Sequence, residues 1–406
     1  MQPEPQRPAP GDWQVTEVPR AYHDSFPKDQ RPRLRPVWDV FTWTYILLVL
    51  SGLTLAAIIM IGYAVFPGPG VVALSLAIGA VYLAVVWFGI SRLLIYRGTP
   101  KLLALTAMVW GATGGVLIGV SPTSGHLMEL AYDWDVPEIS MSLGGAYTEE
   151  LAKGLGVWLV LQIGRAWWNR PWHGLVAGML VGLGFETFEN IMYASLFAID
   201  HPSSDITGLL DMWLLRTVAG PLMHVLFAGL VGYGIGVAVF GRRLNRTHRL
   251  GWILACGFAG FFFHACWNII TDSVAVQLTI YVVTWCAAAA LLVAAIIRCT
   301  REARPAAEAG VYPVVSIYRK VPEPLPAGHL PGLPGHPAQQ VQQAQQAQHP
   351  PMWQSGPSWQ DGHLPESFGR SQRETQTPER PTTWPHSDPT TWSPRRPTDP
   401  DDDPKH

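Results

Sequence analysis

Residues 172–198 read WHGLVAGMLVGLGFETFENIMYASLFA. The run is apolar and glycine-rich, and it exceeds the roughly 20 residues that an α-helix needs to cross a bilayer. Glu186, Glu189 and Asn190 nevertheless sit inside it. A charge near the bilayer centre costs about 2.5–3.5 kcal/mol on translocon scales, so such side chains face protein or water rather than lipid. The stretch predicts a membrane helix that packs against others and helps to wall a polar interior.

Comparable segments surround it at roughly 41–66, 71–92, 102–120, 139–163, 212–240, 250–271 and 275–298. The fold class that follows is all-α: a polytopic membrane protein with about eight transmembrane helices. Composition agrees, with 48% hydrophobic and only 14% charged residues, against about 25% charged in an ordinary soluble domain. Cys256, Cys266, Cys286 and Cys299 lie in or beside apolar runs without C-x-x-C spacing and read as small hydrophobes. The formal net charge of -2 shows no basic excess, which excludes a nucleic-acid partner.

Short basic loops resist translocation, and every second loop is basic: Arg31, Arg33 and Arg35; Arg92, Arg97 and Lys101; Arg165 and Arg170; Arg242, Arg243, Arg246 and Arg249; Arg298, Arg301 and Arg304. The alternate loops carry Asp133, Asp135, Glu138, Asp200, Asp205 and Asp272, with Arg216 the one exception. Both termini are thus expected in the cytoplasm. Residues 1–38 read as a polar cytoplasmic arm and 39–304 as the membrane domain. Of the 36 prolines, 20 fall in 305–406, which also holds the Gln-rich run 339–348. That segment reads as a disordered Pro/Gln-rich tail, with cytoplasmic partners as its one conceivable use.

The anomaly that points to chemistry is a set of polar groups within four consecutive helices: Glu149, Glu150 and Lys153; Glu186, Glu189 and Asn190; His224; His264 and Asn268. The i,i+3 and i,i+4 spacings within each helix place partners on one face. At 1.5 Å rise per residue, Glu186 lies about 21 Å from Trp172, His264 about 20 Å from Gly251, and His224 about 16 Å from Trp213 on one continuous helix. One layer therefore collects carboxylates, imidazoles and an ammonium. Buried neighbouring carboxylates tend to share a proton and so supply both an acid and a base. Glu149 or Glu150 would activate a water, with Lys153 holding one of them ionised. His224 and His264 would stabilise an oxyanion, protonate a leaving amine or bind a metal, and Asn268 would orient His264 or donate to an oxyanion.

Glu149-Glu150-Leu-Ala-Lys153 matches E-E-x-x-K, Phe185-Glu186-Thr-Phe-Glu189-Asn190 matches F-E-x-x-E-N, and His224 and His264-Ala-Cys-Trp-Asn268 follow on the next two helices. With these motifs the chain, over about residues 140–272, resembles the PrsW family of intramembrane proteases, relatives of the CAAX prenyl endopeptidases and Abi-type membrane proteins. The resemblance implies a bacterial plasma-membrane peptidase whose partner is a single-pass membrane substrate, as with an anti-sigma factor cut on its extracytoplasmic side. It also implies an active site of Glu149, Glu150, Glu186, Glu189, His224 and His264. His224, His264 and Glu186 would suit a zinc ion with an open position for water, but without an H-E-x-x-H motif the reading leans towards metal-independent glutamate chemistry. Two other classes account for some of the same residues. A proton- or cation-coupled transporter uses buried Glu, Lys and His as relays, and a non-catalytic scaffold would work through its tail.

Overall fold

The computed structural model describes residues 13–25, 39–199, 201–241 and 244–320. The rest of the N-terminal arm, Asp200, the Arg242–Arg243 pair and the expected disordered tail from 321 onward lie outside the described residues. The described residues are almost wholly helical. A strand β1 (Trp13–Pro19) and a short α1 (Arg20–Ser25) precede α2 (Val40–Val65), α3 (Pro69–Ser91), α4 (Lys101–Gly119) and the short α5 (Pro122–Asp133). Then come α6 (Tyr147–Ile163), α7 (Pro171–Ile199), α8 (Asp205–Ala219), α9 (Met223–Phe240), α10 (Arg246–Trp267), α11 (Val274–Glu308) and β2 (Val314–Lys320).

Seven of these helices, α2, α3, α4, α7, α9, α10 and α11, are long and apolar enough to cross a membrane. The helix expected over 139–163 is present in another form. A π-turn, Ser142–Ala146, feeds the 17 residues of α6, and Glu149, Glu150 and Lys153 make it more polar than the rest. It returns the chain to the end from which α4 set out, because the turns 94–100 and 164–170 are both held by the strand pair and the residues flanking it. The second departure is the segment expected as one helix over 212–240. Gly220-Pro221 breaks it, and Leu222 takes a left-handed φ of 61°, so α8 ends at Ala219 and α9 begins at Met223. His224 thus stands in the first turn of its helix rather than eleven residues along it.

The centre of the molecule is the antiparallel pair α7 and α9. A Cβ at Gly174 would run into the Gly232 carbonyl, at Gly178 into that of Ala228, and at Gly182 into that of His224. Small residues at a four-residue stride let the two backbones touch, which in a bilayer substitutes for the missing hydrophobic drive between helices. α7 is buried along nearly its whole length, whereas α2 buries only Gly52 and Ala56 and leaves its large apolar side chains outward, as a lipid-facing helix should. Trp110 of α4 donates from Nε1 to the Ala152 carbonyl at 3.0 Å and ties α4 to α6. Side-chain caps start four of the helices: Asp39 for α2, Ser204 for α8, Asn245 for α10 and Ser273 for α11.

The region expected as tail begins with order. α11 runs on to Glu308, and β2 pairs antiparallel with β1, Trp13 opposite Lys320 and Pro19 opposite Val314. The pair is fastened to two helix turns. Arg170 grips Glu17 through two bonds of 2.9 Å, Asn169 donates to Ser316 Oγ, and the Ser316 N–H donates to the Ala166 carbonyl. Arg20 donates to the Gly98 carbonyl and Tyr312 to that of Ile95. Burial pushes the Tyr312 hydroxyl up to about 12, so it remains a donor at any ordinary pH.

Candidate active site

Four helices deliver the polar groups to one cluster. α6 starts from the π-turn at Ser142–Ala146, and its first turns carry Glu149, Glu150 and Lys153. π-Turns occur often at functional sites because they re-aim the side chains that follow. α7 supplies Glu186 and Glu189, α9 its second residue His224, and the last turn of α10 His264.

Lys153 is fully buried, and its ammonium donates to Glu149 Oε2 at 3.1 Å, Glu150 Oε1 at 2.9 Å and His224 Nδ1 at 2.8 Å. The same ammonium lies 4.0 Å from the centre of the Phe185 ring, a cation–π contact that substitutes for part of its lost water. The His264 Nδ1–H donates to Glu150 Oε1 at 2.9 Å, and the His224 Nε2–H donates to Glu189 Oε2 at 2.7 Å. These bonds assign the tautomers. Each imidazole spends its proton on a carboxylate and keeps one unprotonated nitrogen; that of His224 accepts from Lys153, and both lie near the same oxygen. His264 Nε2 is 3.7 Å and His224 Nδ1 is 3.9 Å from Glu149 Oε2. Phe227 stacks on the His264 ring with centroids 5.3 Å apart and limits its rotation.

Glu149, His224 and His264 therefore form a group whose ligand atoms all lie within 4.8 Å of one another. The expected trio contained Glu186 in place of Glu149. Glu186 stands apart: Oε1 accepts the Tyr82 hydroxyl at 2.5 Å, and Oε2 accepts the backbone N–H groups of His224 at 3.1 Å and Val225 at 3.4 Å. The Asn268 side-chain amide donates to the Met141 carbonyl at 3.2 Å rather than to the His264 ring, and so holds the entry to the π-turn. Asn190 accepts from Arg216, which also pairs with Glu189.

A cavity of about 510 Å³ opens beside the cluster. Glu149 and Glu189 are its carboxylates, and Gly119, Met128, Met141, Phe185, Met192 and Tyr193 form much of its apolar wall. Gly119 ends α4, Glu149 lies in the first turn of α6, and Met192 and Tyr193 lie in the last third of α7, at the ends of these helices away from the turns 94–100 and 164–170. Three contributors escaped the motif reading. Phe185 was part of a quoted motif without a role, Tyr82 comes from α3, and Arg216 showed itself only as a lone base among acidic loops.

Residues 99–296 match the family described as PrsW family intramembrane metalloprotease. No curated protein and no solved structure matches the chain. The matched stretch contains the whole glutamate and histidine cluster, the seven long apolar helices make the chain a multi-pass membrane protein, and residues 99–296 are a PrsW family intramembrane metalloprotease domain, which makes the chain a peptidase.

Proposed function

We propose that the cluster hydrolyses a peptide bond of a membrane-anchored, single-pass substrate near the extracytoplasmic face, with Glu149, His224 and His264 as ligands of a catalytic metal. The observation that carries this is the pair of unprotonated imidazole nitrogens within 4 Å of Glu149 Oε2. A His₂Glu set with a fourth position open to a cavity suits catalytic zinc, and a carboxylate behind each imidazole is the outer arrangement such ligands need. Charge supports the fit. Among the described residues the glutamates of the cluster outnumber its cations, Glu149 and Glu150 pairing with Lys153 and Glu189 with Arg216, and a divalent cation would balance negative charge at a depth where uncompensated charge is costly.

When bound, such an ion supplies Lewis acidity to a carbonyl and to a water. The chain's residues do the rest. Glu150 and Glu189 fix the two tautomers, Lys153 donates to Glu149 and Glu150, and Glu189, beside Arg216 on the cavity wall, takes and returns a proton. The apolar wall admits an extended substrate segment and limits water. With the basic turns inside, the cavity faces outward and both strands lie on the cytoplasmic side of a bacterial plasma membrane.

A metal-free arrangement is favoured by one observation: Lys153 already donates to His224 Nδ1, and one lone pair serves one partner. In that arrangement Glu149 is the base. The deciding experiment follows release of an extracytoplasmic fragment from a single-pass substrate by purified protein in lipid. Loss of cleavage on chelation with recovery on adding zinc supports the metal centre, and full cleavage after chelation overturns it in favour of Glu149 chemistry. Glu149→Gln cleaving at the normal rate overturns both.

A further inference from the structure

α9 begins without a cap of its own. Leu222 precedes it in a left-handed conformation, and no side chain of the preceding turn accepts its first N–H groups. A helix start leaves such donors open, and when buried they need an acceptor. That acceptor comes from another helix: Glu186 Oε2 takes the His224 and Val225 N–H groups, while Oε1 takes the Tyr82 hydroxyl. Glu186 lies four residues after Gly182, the glycine that touches the His224 carbonyl, so one face of α7 both brings the start of α9 close and caps it. A carboxylate at a helix N-terminus is also on the favourable end of the helix dipole.

We infer that Glu186 is a positioning residue rather than a proton carrier: it caps α9 so that His224 projects at Glu149, and Tyr82 of α3, outside the family match, holds the cap in place. Both of its oxygens are engaged in this task, Oε2 with the backbone of His224 and Val225 and Oε1 with the Tyr82 hydroxyl. Tyr82 is supported in turn by Trp213 of α8, its ring centroid 6.0 Å away, so the cap is anchored from two further helices. The inference rests on the reading of His224 as a site residue.

The test uses the full chain in lipid, with cleavage rate and amide hydrogen exchange over residues 220–228 measured for Glu186→Gln, Glu186→Met, Tyr82→Phe and Glu149→Gln. Glutamine keeps an oxygen for the two N–H groups and an amide that can donate to the Tyr82 oxygen, so E186Q should stay within about tenfold of the parent; removing a proton-transfer group costs about 10²–10⁴. E186M has similar bulk and no acceptor, and exchange at His224 and Val225 should quicken at least about tenfold as the helix start opens. Y82F should fall between, with cleavage down about 5–30-fold for one lost charge-assisted bond. E149Q should lose cleavage with exchange unchanged. An E186Q variant as inactive as E149Q, or an E186M variant with parental exchange, overturns the capping role. Normal cleavage by E149Q instead defeats the protease site and leaves the exchange result to decide the cap alone.

Discussion

Glu150 receives the His264 Nδ1–H on Oε1 at 2.9 Å, and its Oε2 is buried without a hydrogen-bond partner. Lys153 uses the same Oε1, so one oxygen does all the orienting. Replacing Glu150 by Gln keeps an oxygen for the imidazole and removes the charge behind it. Loss of such an outer carboxylate typically lowers metal affinity by about 10–100-fold. Zinc competition with a chelating dye should show that drop, with cleavage largely restored at excess zinc. Parental affinity together with lost cleavage would mean that Glu150 moves the proton itself.

The three converging groups should fail together. His224→Ala, His264→Ala and Glu149→Gln should each cut cleavage by at least about 10², the scale of losing an essential acid–base or ligand function. Bound metal, counted by elemental analysis, should fall below one equivalent in each. A histidine variant with full metal and full rate would remove that residue from the centre.

Lys153→Met tests what holds the cluster together. The ammonium is fully buried and bonds three side chains. Removing one partner of a buried ion pair destabilises by about 3–5 kcal/mol because the remaining charge is stranded. Thermal unfolding in detergent should show the loss, together with poor recovery of folded protein. Added zinc should restore part of it if a divalent cation sits where the charge excess is.

The close contact of α7 and α9 can be probed by one methyl group. A Cβ at Gly178 would strike the Ala228 carbonyl, whereas one at Gly251 meets nothing within 4 Å. Gly178→Ala should therefore cost about 1–3 kcal/mol by overpacking, and Gly251→Ala should be neutral or slightly stabilising in its helix. Equal unfolding temperatures for the two would show that the interface yields more easily than its geometry implies.

Topology follows from the strands as well as from the basic loops. Arg20 and Tyr312, flanking the strand pair, hold the turn 94–100, and Glu17 of β1 holds the turn 164–170, so α4 and α6 together must make one round trip. Reporter fusions near Asp135 should report the outside, and fusions after Lys320 the inside. A cytoplasmic signal from Asp135 would break the pairing of α4 with α6.

Much of this was legible because membrane helices announce themselves by length and by the cost of burying charge. Glu149, Glu150, Lys153, Glu189, His224 and His264 stood out for that reason, and the structure gathers them. What escaped depended on contacts between distant segments. The break at Gly220-Pro221 was a turn signal hidden in apolar residues, and it moved His224 from mid-helix to a helix start. Nothing in Tyr82 marks it as a partner of Glu186, more than a hundred residues away. The strand β2 was masked by the proline-rich composition that follows it, since a pair of strands shows in neither segment by itself.

The pairing of β1 with β2 has a mechanical side. Trp13 stands opposite Lys320, so the two strands leave the ladder next to each other. A pull that separates residue 13 from residue 320 loads the cross-strand bonds one after another, as in opening a zip. Handles at 13 and 314 would load all of them in shear at once. Single-molecule pulling should find a low, stepwise rupture for the first geometry and a higher, abrupt one for the second. Tension on the chain beyond Lys320 would thus peel the ladder from its open end, and the Glu17 grip on Arg170 at the far side of the pair would be among the last bonds to feel it.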